Sequence, residues 1–152
     1  MAVSGRRDPD PPNDHTCDEP SAPRQQGEPV NSVAMRRRVL IVEDDTEVRE
    51  YFHFALRQAG HTVSIAANGL EALHRIDAGF LPDVIVLDLG LPVLSGHEVL
   101  KELAAQPHTR SIPVIIVTGR PARSSPPSVR CRLQKPVAAE LLLATVDECA
   151  VR

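Results

Sequence analysis

The sequence has few cysteines, and none is placed to bind zinc or to belong to a disulfide framework. Cys17, Cys131 and Cys149 are far apart, odd in number, and show no Cys-x-x-Cys or Cys/His spacing. Such residues are typical of unpaired thiols in a reducing cytoplasm. The sequence therefore argues against a secreted disulfide-rich domain and against a zinc site.

Long apolar runs and an excess of basic charge are also missing. No stretch approaches the roughly 20 apolar residues that a membrane-spanning helix needs. The N-terminal segment is polar and proline-rich where a signal peptide would need an apolar centre. The 17 basic residues are nearly balanced by 20 acidic ones, for a net charge of -3, and there is no Arg-rich recognition helix. We therefore expect a cytoplasmic protein with no membrane insertion and no direct contact with nucleic acid.

The N-terminal segment lacks any apolar periodicity. Residues 1–35 contain six prolines and charges of both signs, so burial of this segment could not offset the entropy lost on ordering it. We expect residues 1–37 to form a disordered, proline-rich tail and residues 38–152 to form one folded domain. A partner-binding tail is one alternative, and a protein that starts at Met35 is another.

Short apolar runs that end in polar residues dominate the rest of the chain. Three such runs stand out: Val84–Leu87 before Asp88, Val39–Val42 before Glu43-Asp44-Asp45, and Val114–Val117 before Thr118. Runs of this length are typical of parallel strands that are buried on both faces. In such sheets, ligands and chemistry gather beyond the carboxyl ends of the strands. The residues that follow these runs are therefore the candidates for function.

Strand-like and helix-like patterns alternate along the folded domain. We predict strands at 38–42, 61–66, 83–87, 112–117 and 131–134, and helices at 46–59, 69–78, 95–105 and 137–150. The alternation predicts an α/β fold, a doubly wound five-stranded parallel sheet with right-handed crossovers. The interval 119–130 contains three prolines and three serines. We therefore expect the fourth helix to be shortened or missing.

Carboxylates gather at the predicted carboxyl edge of this sheet. Taken alone, Glu43, Asp44 and Asp45 would be an ordinary set of charges at a helix start. Asp88 follows another strand, however, and carboxylates that converge repel one another unless a cation or a proton neutralises them. Hard oxygen ligands of this kind suit Mg²⁺, which keeps several waters and needs few protein ligands. The pattern therefore favours a magnesium site.

These motifs together resemble the receiver domain of bacterial two-component response regulators. Four segments carry the resemblance: Ile41-Val42-Glu43-Asp44, Val86 to Gly96, Val117-Thr118-Gly119 and Gln134-Lys135-Pro136. Each motif is weak by itself, but the four in this order and on these elements are highly specific. The resemblance covers residues 38–150 and implies a flavodoxin-like fold.

The resemblance implies a role for each polar residue at the edge. Asp88 would be the phosphoacceptor, taking a phosphoryl group from a histidine of a sensor kinase or a histidine phosphotransfer protein. Mg²⁺ would be bound by Asp44 directly, by Glu43 through water, by Asp88 and by the backbone carbonyl of Gly90.

Two further residues would complete the site. Lys135 would pair with Asp88 and later with a phosphoryl oxygen, and its bond to Pro136 would be cis, as is typical of the family. Thr118 would donate its hydroxyl to the new phosphoryl group, which brings about -1.5 to -2 of charge, and so would move its loop. A threonine in this place could instead simply cap a turn.

The sequence departs from the family pattern in two places that concern output. The eroded interval 119–130 replaces a full fourth helix, and Arg132 stands where many receivers have an aromatic switch residue. Ordering of a loop could then replace helix repacking as the readout. On the first helix, Phe54 and His53 are candidates for contact with the kinase.

We therefore expect a stand-alone receiver that signals by contact with a downstream protein and is not an enzyme. A phosphorylation-independent binding module is one alternative. A Mg²⁺-dependent phosphatase with an aspartyl phosphate intermediate is a weaker one, because such enzymes need a second acid two residues after the nucleophile. Gly90 occupies that position.

Overall fold

The computed structural model describes residues 35–120 and 126–150, which form one α/β layered unit. Its elements are, in chain order, β1 (Arg38–Val42), α1 (Thr46–Gln58), β2 (Thr62–Ala66), α2 (Gly69–Asp77), β3 (Val84–Leu87), α3 (Gly96–Ala105), β4 (Val114–Thr118), β5 (Val129–Gln134) and α4 (Ala139–Cys149). The predicted disorder of the tail falls on residues outside the described ranges, apart from 35–37.

The five strands form one parallel sheet in the order β2-β1-β3-β4-β5. This arrangement confirms the predicted doubly wound fold. In the centre of the sheet, Val42 is in register with Leu87. Because strands β1 and β3 end side by side, the next residues, Glu43 and Asp88, leave the sheet at the same level.

Both faces of the sheet are buried, which explains why its strands are apolar without alternation. Leu40 and Val42 face a cluster that includes residues of α2 and α3. The intervening residues, Val39 and Ile41, face a second cluster with residues of α1 and α4. Helices on both faces therefore hold β1 in the middle of the domain and fix the position of the residues that follow it.

The sequence predicted that the helix between β4 and β5 would be shortened or missing. The described part of this connection, residues 119–120 and 126–128, contains no helix. Strand β5 begins two residues earlier than predicted, at Val129. Cys131 on this strand and Cys149 on α4 are free thiols, as expected. They lie in contact, however, which their separation in the sequence did not indicate.

Helix α4 takes its N-terminal cap from another helix. Its N-cap residue, Ala138, makes no side-chain hydrogen bond. The backbone N–H of Ala139 instead donates to the hydroxyl oxygen of Tyr51 on α1, at 2.9 Å. This contact satisfies one of the backbone donors that every helix start leaves open. It also anchors the chain just after the Lys135–Pro136 bond, which is cis as expected.

His61 links the start of β2 to the start of β1. The backbone N–H of Arg37 donates to Nδ1 of His61 at 3.1 Å, so that nitrogen must be unprotonated. Nε2 lies 3.7 Å from a carboxylate oxygen of Asp147 on α4. Burial lowers the pKa of His61, and the charge of Arg37 lowers it further against the opposing effect of Asp147.

Acid should destabilise the protein through His61. The unfolded chain binds a proton on histidine near pH 6.5, whereas the folded state binds it only at lower pH. The unfolded state therefore takes up more protons as pH falls below about 6.5, and the free energy of unfolding decreases. Urea titrations at about pH 7.5 and about pH 5.5 should show a smaller decrease for His61→Asn than for the parent. The same change at exposed His108 serves as the control, and an equal decrease in all three proteins would contradict this role.

Candidate functional site

Asp88 and Glu43 are buried side chains at the carboxyl ends of adjacent strands. Asp88 is 8% exposed and Glu43 is 2% exposed. The N–H of Asp88 donates to the carbonyl of Val42, and the N–H of Glu43 donates to the carbonyl of Ala66, both at 3.0 Å. These bonds extend the ladders of the sheet by one residue, so both carboxylates are held by backbone that cannot easily move.

Asp44 joins them to form an acidic cluster. One carboxylate oxygen from each of Glu43, Asp44 and Asp88 lies within 4.8 Å of the other two, and Asp44 is exposed. Three hard oxygen donors this close, one of them open to solvent, suit a divalent cation that keeps part of its water. The donor set therefore fits Mg²⁺ and supports the predicted magnesium site.

Asp45, the third acidic residue of the sequence run, belongs to a different structure. It is the N-cap of α1, and its carboxylate accepts from the N–H groups of Glu47 at 2.9 Å and Val48 at 3.1 Å. The helix-start expectation is thus confirmed for Asp45, whereas Glu43 and Asp44 lie close to Asp88, and their role as metal ligands stays a prediction.

Lys135 brings the only ammonium group among the side chains just described. Its Nζ lies 2.7 Å from Oε2 of Glu43 and 3.4 Å from Oδ2 of Asp88. The pairing expected with Asp88 is therefore present, but Glu43 is the closer partner. Burial of Lys135 works against its charge, but the hydrogen bond and charge of Glu43, together with Asp88, outweigh it and raise the pKa of Lys135.

The surroundings of Glu43 disfavour its charged form, whereas those of Lys135 favour its charged form. Burial raises the pKa of Glu43, and the nearby charge of Asp88 adds to this effect. The hydrogen bonds from Lys135 and from the N–H of Asp45, together with the charge of Lys135, lower it only in part. Lys135 pairs with two of the three carboxylates, and the cluster keeps an excess of negative charge that a further cation would relieve.

The loop after Asp88 fixes the orientation of the Asp88 carboxylate through a backbone hydrogen bond. The N–H of exposed Gly90 donates to Oδ1 of Asp88 at 3.1 Å. Ser95 and Glu98 form a capping box that starts α3. Between Gly90 and Ser95, Val93 has a φ of 68°, which is costly for a β-branched residue. The predicted role of the Gly90 carbonyl as a metal ligand stays a prediction.

Thr118 ends β4, next to β3, the strand that Asp88 follows. It is 8% exposed, and its carbonyl accepts from the N–H of Lys135 at 3.0 Å. Its Oγ1 accepts from the N–H of Arg120 at 3.2 Å, which is the turn-capping contact that the sequence left open. The hydroxyl hydrogen is still available as a donor, and the switch role of Thr118 stays a prediction.

Arg49 is a residue of the site that the sequence analysis missed. From the first turns of α1, its Nη1 donates to the carbonyls of Glu43 at 2.9 Å and Asp44 at 3.4 Å. It thus holds the backbone that carries two of the three carboxylates. Its spacing from the acidic run, about one helical turn after the Asp45 cap, is the only sequence signal of this contact.

An apolar groove of about 800 Å³ adjoins Lys135. The lining residues come from α1 and from the segment between β5 and α4: Glu47, Val48, Tyr51, Phe52, Lys135, Pro136, Val137 and Ala138. Phe54 is 66% exposed but is not among them, and His53 lies next to Glu50. The sequence pointed to α1 as a contact surface, but it did not indicate this groove.

Within residues 35–120 and 126–150, none of the helices has the length and apolar character needed to cross a membrane. Residues 39–147 match the family model of the response regulator receiver domain. The matched range includes all the acidic, hydroxyl and ammonium groups described above.

Two curated relatives show different extents of overlap. The chain is 33% identical over 114 residues to protein Rrf1 of Nitratidesulfovibrio vulgaris, which covers 74% of the chain and 82% of Rrf1. It is 36% identical over 83 residues to the two-component response regulator PhoP of Pseudomonas aeruginosa, covering 55% of the chain and 36% of PhoP. The chain thus corresponds to most of one relative and to about a third of the other.

A solved structure resembles the fold closely. The receiver domain of the sensor histidine kinase PA1611 from Pseudomonas aeruginosa, determined with a magnesium ion coordinated in its active-site cleft, superposes with a TM-score of 0.69. The two proteins are 25% identical, and the match covers 77% of this chain and 99% of that domain.

Proposed function

This chain belongs to the response regulator receiver family, and from that premise we propose that Asp88 accepts a phosphoryl group from a phosphohistidine, with Mg²⁺ bound by the acidic cluster. The observation that carries the proposal is the convergence of Glu43, Asp44 and Asp88 within 4.8 Å with the ammonium of Lys135 3.4 Å from Asp88. Receiver domains take part in two-component signalling, and this site has the groups that such a role requires.

The transfer itself asks little covalent chemistry of the protein. A carboxylate oxygen of Asp88 forms a bond to phosphorus, the bond from phosphorus to the donor's histidine nitrogen breaks, and the imidazole leaves with a proton from solvent. Bound Mg²⁺, held by Asp44, Asp88, the Gly90 carbonyl and Glu43 through water, would supply neutralisation of the charge on the attacking and transferred groups. Asp88 is held ready for this attack, since the Gly90 N–H fixes one of its oxygens.

Lys135 neutralises charge on the opposite side of Asp88. Because its pKa is raised, its amine is protonated at neutral pH and can contact a phosphoryl oxygen after transfer. Its present contact with Glu43 at 2.7 Å would then be shared with the new group. Thr118 would donate its hydroxyl hydrogen to another phosphoryl oxygen, and the turn at Gly119 and Arg120 would move with it.

The groove beside Lys135 is where the donor would dock. It runs from α1 to the start of α4, so a helix lying in it would end close to Asp88. Its apolar floor suits the helical hairpin or bundle that presents the phosphohistidine of a sensor kinase or a histidine phosphotransfer protein. Phe54 and His53 would extend this contact on the outer side of α1.

We propose that the protein is not an enzyme that turns over phosphate esters. A phosphatase that uses an aspartyl phosphate needs an acid to protonate the leaving group. The residue two positions after Asp88 is Gly90, which has no side chain. A phosphorylation-independent binding module is the second candidate, favoured by Arg132 in place of an aromatic and by the absence of a helix in residues 119–120 and 126–128.

Phosphorylation by a small donor tests the proposal. The protein should be incubated with acetyl phosphate and Mg²⁺ and then examined by intact mass spectrometry, with EDTA in a parallel sample. We expect a gain of one phosphoryl group that is absent with EDTA. No gain with acetyl phosphate or with a purified kinase would favour the binding module, and continued hydrolysis of phosphate esters would favour the enzyme.

A further inference from the structure

Two thiols meet where α4 covers the edge strand of the sheet. The Sγ atoms of Cys131 on β5 and Cys149 at the end of α4 are 2.7 Å apart. Cys131 is in register with Ile115, and Ile115 with Val86. Strand β4 therefore separates Cys131 from β3, the strand that precedes Asp88.

The two cysteines differ in their exposure to solvent. Cys131 is partly exposed, whereas Cys149 is 5% exposed and belongs to the core cluster of α1 and α4. Burial raises the pKa of Cys149 to about 12, and its hydrogen bond with Cys131 adds to the rise. Cys149 therefore stays a thiol at neutral pH, and the accessible Cys131 is the sulfur that meets an oxidant first.

A partly exposed cysteine in contact with a second, buried cysteine is an arrangement that favours a disulfide. An oxidised cysteine condenses with a nearby thiol in preference to further oxidation when that thiol is already in place. The two sulfurs have to approach by less than an ångström to reach the covalent distance of about 2.05 Å. Both are held by regular secondary structure, so they meet without any rearrangement of a loop.

We propose that Cys131 and Cys149 form a reversible disulfide when the protein is exposed to hydrogen peroxide. The Cys131 sulfur attacks the peroxide, the O–O bond breaks, and Cys131 becomes a sulfenic acid as water is released. The Cys149 sulfur then bonds to the Cys131 sulfur, the S–O bond of the sulfenic acid breaks, and the hydroxyl group leaves with the Cys149 proton as a second water. Overall, two thiols are oxidised by two electrons, one peroxide is reduced, and both thiol protons end in water.

This modification goes beyond the phosphoacceptor function and does not depend on it. The disulfide would close a loop between positions 131 and 149 that contains Lys135 and the cap of α4. It would thereby restrict the relative motion of β5 and α4 by a covalent bond. The protein would then respond to two covalent modifications: oxidation of the cysteine pair and phosphorylation of Asp88.

Peptide mapping tests the modification directly. The full chain should be treated with hydrogen peroxide, quenched with catalase, alkylated with N-ethylmaleimide and digested with trypsin. We expect the dipeptide Cys131-Arg132 to be linked to the peptide 133–152, with the link removed by dithiothreitol. Cys17→Ser should keep this link and Cys131→Ser should lose it. The oxidised chain should also melt several degrees higher than the reduced chain.

Two results would overturn the proposal. One is sulfinic acid on Cys131 with Cys149 still open to alkylation after denaturation. The other is a link that joins Cys17 or a second copy of the chain instead. Cys149→Ala provides a second variant if Cys131→Ser folds poorly. Phosphorylation with acetyl phosphate, measured on reduced protein, tests Asp88 separately, so failure of either proposal can be recognised by itself.

Discussion

Asp88→Asn is expected to take up no phosphoryl group from acetyl phosphate and Mg²⁺ under conditions that fully modify the parent protein. The substitution keeps the shape of the side chain, and the amide oxygen can still accept from the N–H of Gly90. It removes the anionic oxygen that has to attack phosphorus. It also removes one of the three carboxylates of the acidic cluster, so weaker binding of Mg²⁺ should accompany the loss.

The fold should survive this change. Removing one of several converging negative charges relieves repulsion with Glu43, so the free energy of unfolding should stay the same or rise. Asp77→Asn, the same change at an exposed position in the last turn of α2, is the matched control and should be phosphorylated like the parent. Phosphorylation of Asp88→Asn would show that another group, such as exposed Asp44, accepts the phosphoryl group.

Gly96→Ala should both destabilise the domain and disable the site. A Cβ at Gly96 would overlap the carbonyl oxygen of Asp88 and would lie 2.6 Å from Cα of Leu89. Both obstacles are backbone, so the loop that carries Asp88 has to move. Alanine has a higher helix propensity than glycine, which by itself would stabilise α3. The clash outweighs this gain, so the net effect on stability is a loss. We expect a loss of about 2–3 kcal/mol in the free energy of unfolding and a fall of about a hundredfold in the rate of phosphorylation.

Gly90→Ala is the matched control in the same loop. A Cβ there would find its nearest neighbour, Oδ1 of Asp88, at 4.0 Å, and the backbone groups of Gly90 are kept. Its stability should stay within about 0.5 kcal/mol of the parent. Urea titration and the acetyl phosphate assay on both variants give the comparison. Equal stability of the two variants would mean that α3 can shift away from the Asp88 loop without cost.

The sheet and the acidic edge could be predicted because their signals are local. An apolar run of four such as Val84–Leu87 is too short for a helix, and its two buried faces explain the missing alternation. Asp88 and Glu43 each follow such a run directly, so a parallel sheet necessarily brings them to one edge. The erosion of the fourth helix was equally local, because prolines and serines disfavour a helix wherever they lie.

Boundaries of elements depended on contacts that the sequence does not display. His61 was predicted to start β2, but its N–H donates to the carbonyl of Leu56 and closes α1. Asp83 was predicted to start β3, but its carboxylate accepts from the N–H of Arg38 at 2.7 Å. Each residue lies beside an apolar run that predicts a strand, but its hydrogen bond to another part of the chain keeps it outside the strand.

The detailed contacts of the site were the hardest to predict, because they too join residues that are distant in sequence. Lys135 could be placed near Asp88, but its shorter contact with Glu43 depends on how two strands and a loop are spaced. Arg49 looked like an ordinary helix residue until its guanidinium was seen to hold two carbonyls. The contact of Cys131 with Cys149 requires α4 to pack back across β5, which no local pattern specifies.

The cap that Tyr51 gives to α4 has a consequence for how the domain opens. A helix that carries its own cap can fray and re-form independently, but the amide of Ala139 is protected only while α1 is folded against it. Its exchange with deuterium should therefore follow the openings of α1, although the two residues are 88 positions apart. Local unfolding of the first helix would release the start of the last one, and with it the segment that presents Lys135.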